Sequence, residues 1–202
     1  MRIKITLLIA SLCFLFSFTS CDVMQQVSQM NNLTKCDFRL ESVQHLNLAG
    51  VNVQNVKKVS DLNMLDAANL AAAISSQKFP LDLTLNIEAK NPNTAAAGMS
   101  QIDWILLIDD IEMTRGILDQ QITIPENNGT AIIPMNMHID LQQALSGKSA
   151  EAVINFGMNL AGAGNKPTRF TLQMKPTITV GGFPIAYPGY LNVKTEFGTN
   201  QN

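Results

Sequence analysis

The chain has 202 residues, of which 46% are hydrophobic and 15% charged, with 14 basic against 16 acidic side chains and a formal net charge of −2. That length supports one domain burying about 70% of its unfolded surface, so neither a disulfide nor a metal is needed to hold it. No face of clustered Lys and Arg is present, Lys57-Lys58 being the only adjacent basic pair, which argues against nucleic acid as a partner and against electrostatic attraction to anionic lipid.

The chain starts with Arg2 and Lys4, continues through an uncharged apolar stretch from Ile5 to Phe18, and reaches Thr19, Ser20 and Cys21. A basic start, an apolar run and small residues form the layout of an export signal. The run of 14 residues falls short of the roughly 20 that span a bilayer. The small-small-Cys ending resembles the bacterial lipoprotein signal. That resemblance implies removal of residues 1–20 as a signal peptide and acylation of Cys21, palmitate-type chains becoming the membrane anchor. Two or three chains hold stably at about 0.8 kcal/mol per buried CH₂. Loss of Arg2 and Lys4 takes the net charge from −2 to −4. The expected location is the bacterial cell envelope; Asp22 resembles an inner-membrane retention signal in some bacteria only, and the outer membrane is favoured. Cys13 leaves with the signal, so Cys36 is the one remaining thiol, expected as a buried apolar side chain, with an intermolecular disulfide as the alternative.

Residues 21–35 read as a lipidated tether, since 22–35 are polar and extend at most about 45–50 Å; Val23, Val27 and Met30 also have the spacing of a short helix. From residue 36 to 199 the pattern is that of a single mainly β domain. Alternation is weak at 36–48 and 49–56. Ser60 is placed to cap a helix over 61–77 whose apolar face carries Met64, Leu65, Ala68 and Ile74. Leu81, Leu83, Leu85, Ile87 and Ala89 then alternate with polar residues as a half-buried strand. In the strand over 101–109 both parities are apolar from Ile105 to Ile108, which predicts cover on both faces, by a helix or the tether. Asp109-Asp110 marks a turn, and further alternation runs over 117–124 and 130–139. Asn128-Gly129, a pair that tolerates positive φ at both positions, lies between two apolar runs and predicts a hairpin. Asp140 to Gln143 is shaped like a capping box, and 149–161 is read as a helix although a strand fits its alternation too. Phe170 to Val180 alternates again, with Pro176 predicting an edge position or a bulge; Gly181-Gly182 marks a turn before a last strand over 190–197. Short strands with few helices predict an immunoglobulin or fibronectin III-like antiparallel β-sandwich with two or three inserted helices.

The run from Leu81 to Asn91-Pro92-Asn93, then Gly116, Ile124-Pro125 and the strand 130–139, resembles the type 2 late embryogenesis abundant family, the water-stress and hypersensitive-response domain. The resemblance covers about residues 43–180. It implies the same sandwich, a link to desiccation or stress response, and no catalytic residues. On physical grounds Asn91-Pro92-Asn93 is a turn leaving a strand, the asparagines bonding their own backbone while Pro92 presets φ.

Residues that carry chemistry are sparse. His45 and His138 lie in no nucleophile or zinc motif and are read as solvent-facing. Asp109, Asp110 and Glu112 are the densest acidic group, a candidate for Ca²⁺ but more in keeping with a solvated turn. Trp104 shares the parity of Ile102 and Leu106 and is expected in the core. Tyr187 and Tyr190, flanking Pro188-Gly189, are the best candidates for surface recognition. These observations predict a non-enzymatic lipid-anchored module, with Cys21 as the modified residue, no catalytic, metal or cofactor site, and an unidentified protein or glycan partner. The alternatives are an envelope enzyme cleaving glycan with paired carboxylates and an assembly component pairing through a sheet edge.

Overall fold

In a computed structural model, residues 20–56, 59–76, 78–141 and 168–197 are described. The leader before Ser20, the helix expected over 149–161 and Gln142-Gln143 of the expected capping box lie outside them. The elements in order are α1 (Ser20–Leu33), β1 (Asp37–Leu48), β2 (Val51–Asn52), a 3₁₀ turn (Val59–Asp61), α2 (Met64–Ser75), β3 (Pro80–Asn91), β4 (Ala97–Met99), β5 (Gln101–Ile108), β6 (Ile111–Leu118), β7 (Ile122–Ile124), β8 (Gly129–Asp140), β9 (Thr168–Val180), β10 (Phe183–Ala186) and β11 (Leu191–Phe197).

One sheet has the order β2-β1-β3-β8 and the other β10-β9-β5-β6, with β11 also paired to β9; β4 and β7 form a small third sheet. Their pairings are antiparallel. Period-two apolar residues from both large sheets meet in one core: Leu81, Leu85 and Ile87 of β3 and Ile133 and Met135 of β8 with Ile102 and Leu106 of β5 and Phe170 and Leu172 of β9. The expected mainly β, antiparallel sandwich is the observed arrangement, closed at its sides where β6 lies beside β8 and β1 beside β11.

Trp104 is in this core as expected, opposite Gly116 of β6. A Cβ at Gly116 would lie 2.4 Å from the indole Cζ2, so the absence of a side chain there makes room for the ring. The weak alternation at 36–48 also has a cause. Glu41 and His45–Leu46 mark two register shifts of β1 against β3. Each inserts a residue and resets the parity, so that Val43, Leu46 and Leu48 continue inward where a strict alternation would turn some of them out. His45 takes a φ of 54° at the second shift.

Four local expectations are corrected. The helix caps on Asn63, whose side chain accepts from the Asp66 N–H, three residues after Ser60. Its apolar residues pack only in part: Leu70 is buried, whereas Met64 is 91% exposed and Leu65 also faces solvent. Positive φ falls on Asn127 and Asn128, at 57° and 64°, one residue before the expected Asn128-Gly129 pair, and β7 pairs with β4 and β8 with β3, so this turn passes the chain between sheets instead of closing a hairpin. Pro176 sits in a strand flanked on both sides, opposite Ile102 of β5. Its missing N–H is tolerated because on the other side β9 changes partner there, from β11 at Met174 to β10 at Thr177. Finally, Ile105 and Leu107 are half-buried, so the outer face of β5 is only partly covered.

Candidate functional site

The segment expected as a tether is helical through Leu33, and its last turn is fixed to one end of the sandwich. Leu33 is 1% exposed and joins the core. The carbonyls that end a helix lack intrahelical donors. Here Asn32 O accepts from the Lys35 N–H at 3.1 Å and from Asn93 Nδ2 at 2.9 Å. Asn32 Nδ2 in turn donates to Ala96 O at 3.2 Å. Gly98 brings the β4 backbone close to α1, since a Cβ there would lie 3.3 Å from Gln29 Oε1.

Asn91 is the centre of this clamp. It is wholly buried, and its amide uses its bonding capacity in full. Nδ2 donates to Ala95 O at 3.0 Å and Ile124 O at 3.1 Å, while Oδ1 accepts from Asn93 N and Asn93 Nδ2 at 3.0 and 2.7 Å. Asn127 N and Asn128 N donate to Asn93 O and Asn91 O. The Asn-Pro-Asn turn is therefore the predicted turn and also the socket into which α1 is fixed. Cys36 closes the clamp with its thiol directed at Asn32 O, 3.4 Å away. It is a free, half-buried thiol, and burial first, the Asp37 carboxylate second, pushes its pKa up to about 11. Cys21 falls in the first turn of α1.

The other candidates separate into different places. Both histidines reach the outer face of the four-stranded sheet, on adjacent rows. His138 Nδ1 lies 2.6 Å from Asp82 Oδ1 and His45 Nδ1 3.3 Å from Thr84 Oγ1. The Thr84 hydroxyl donates to Asn136 Oδ1 at 2.8 Å. With that proton committed, the His45 contact requires the imidazole N–H as donor, which is the wrong direction for activating the hydroxyl as a nucleophile. Asp109 and Asp110 form a turn with φ of 48° and 65°; Arg169 holds both, at 3.7 and 3.0 Å, and Glu112 is chelated by Arg115 at 2.7 and 2.8 Å. The three carboxylates are thus shared between two arginines, and among the described residues no group of three or more His, Cys, Asp or Glu is placed to hold a metal ion.

Tyr190 is exposed and Tyr187 half-buried beside β10, all four of whose residues are exposed, Phe183 at 75%. Sequence reading passed over Phe183 and Ile185, although the chain from Pro176 to Val193 carries 18 residues without a charge. Asn32 and Gln29 were equally silent, because their role depends on a partner more than sixty residues away.

The arrangement defines a mainly β, antiparallel protein of two large sheets and one small one, with a helix clamped to one end. No family model matches the chain, and no curated protein does. Solved structures with a similar course include a protein from Archaeoglobus fulgidus, with a TM-score of 0.35 and 12% identity over 58% of this chain and 84% of that one. A protein from Arabidopsis thaliana solved in solution gives 0.33 and 15% over 57% and 68%. A solution structure described as that of a candidate late embryogenesis abundant (LEA) protein gives 0.31 and 12% over 94% and 88%.

Proposed function

We propose that this chain is an exported envelope protein held to a bacterial membrane by acyl chains on Cys21, acting without catalysis as a β-sandwich module that binds or protects a partner. The observation that carries the reading is the order of Arg2 and Lys4, the apolar run Ile5 to Phe18, and Thr19-Ser20-Cys21. The clamp adds support, since a helix fixed to the domain at Leu33 passes the position of an anchor at Cys21 directly to the fold. The link to desiccation or stress is the finer part of the proposal and rests on the ordered residues Asn91-Pro92-Asn93, Gly116 and Ile124-Pro125. The absence of catalysis is supported by the committed Thr84 proton and by carboxylates held on arginines.

Replacing Cys21 with Ser tests the anchor. Wild-type protein is expected in the membrane fraction, with mass spectrometry finding an acylated N-terminal Cys; the variant is expected to fractionate with water-soluble protein. An unmodified Cys21 in native material overturns the reading.

A further inference from the structure

We infer that the β10 hairpin is a second membrane contact, laid into the interface of the same lipid surface that holds the Cys21 acyl chains; the inference rests on the anchoring reading above. The hairpin tip is Gly181-Gly182, with φ of 59° and 87°, and it presents Phe183, Pro184, Ile185 and Ala186 to solvent. An uncharged stretch with exposed aliphatic and aromatic side chains is costly in water and suited to the boundary between headgroups and acyl chains, where Phe and Tyr rings settle. Lys175 and Lys194 bound the charge-free run, leaving no charge to desolvate within it.

Position supports lipid as the occupant. From Asn32 to Gln29, α1 follows the chain from Ala96 to Gly98, toward Ser100, whose N–H donates to Thr177 O at 2.7 Å. Thr177 pairs with Ala186 of β10, so the hairpin and the anchor helix leave from the same end of the sandwich. α1 exposes Met24 and Val27, which at a spacing of three lie on one helix face and add apolar surface to it.

Strand addition by a protein fits less well. Tyr187 N donates to Pro176 O, so residues 183, 185 and 187 bond toward β9 and 184 and 186 face outward. Pro184 has no N–H, leaving Ala186 as the outward donor of this short edge.

The test is hydrogen–deuterium exchange on the full acylated protein in phosphatidylethanolamine–phosphatidylglycerol vesicles, and on the unacylated Cys21→Ser chain with and without those vesicles. The amides from Gly182 to Tyr187 are expected to exchange about tenfold more slowly on vesicles. The Cys21→Ser chain should show the same protected segment at about tenfold or more higher lipid. Phe183→Asp with Ile185→Asp, both at exposed positions, should abolish the protection while the acylated protein still sediments with vesicles. Unchanged exchange of 182–187 in protein proven acylated overturns the inference and leaves the anchor intact. Protection that needs added envelope protein, and not lipid, overturns it in favour of a protein partner. If Cys21 proves unmodified, the exchange of the Cys21→Ser chain on vesicles decides the hairpin contact by itself: protection upholds it and no protection overturns it.

Discussion

A buried amide with four bonds is a stricter requirement than a turn, and Asn91 shows the difference. Aspartate at 91 would keep the acceptor facing Asn93 but turn a second oxygen toward the Ala95 and Ile124 carbonyls, so that both lose their Asn91 donor and Ala95 O keeps only the longer 3.4 Å bond from Asn32 Nδ2. Asn91→Asp is expected to cost about 3 kcal/mol or more, as for buried groups left unpaired, measured as a lower urea midpoint at pH 7. Cys36 gives a pH-dependent counterpart. Its thiol pKa is raised from 9.0 to about 11 in the folded chain, so the folded state holds the proton more tightly than the unfolded one. The resulting stability is whole below pH 9 and is lost as pH rises toward 11. At pH 8 the thiolate fraction is small, so alkylation by iodoacetamide should be slow in native protein and fast in denaturant; equal rates would contradict the placement.

At the scale of elements, the long strands were legible because Leu81 to Ala89 and Phe170 to Met174 keep one parity over a buried face. β1 was not, since its two inserted residues break the period that a reader counts. The turn before β8 was legible as a turn and illegible as topology: residues that tolerate positive φ are written locally, though it falls on Asn127-Asn128 and not on Asn128-Gly129, while the choice of β4 as partner for β7 depends on contacts far away. The same limit hid the clamp. Val23, Val27 and Met30 suggested a helix, yet only the fold reveals that Leu33 and Asn32 tie it down. A helix of 14 residues is marginal alone, which makes docking the condition for its order. Leu33→Ala is therefore expected to cost about 2–5 kcal/mol. In hydrogen exchange it should release the α1 amides well before the strands open, and α1 protection equal to wild type would count against the docking.

For the whole molecule, anchored as proposed at Cys21, the clamp would set a distance from the lipid. If residues 22–35 were extended, the sandwich would stand as far as about 45–50 Å from the lipid; as a helix, the dozen residues between Cys21 and Leu33 span only about 18 Å. Fixing Leu33 and Asn32 to the domain also limits tilt, because the helix cannot swing freely about its last turn. With the anchor proposed at Cys21, the same constraint would turn the β10 end, with Phe183 exposed, toward the membrane and leave α2, which lies near β2 and exposes Met64, at the opposite end of β1. Neutron reflectometry of the acylated protein on a supported bilayer should thus find protein density beginning within about 20 Å of the headgroups. Leu33→Ala should widen that gap and blur its edge, because an undocked α1 regains the reach of an extended chain. A wild-type layer separated by the full extended length would mean that α1 is not helical on the membrane, and the directed presentation of the sandwich would fall with it.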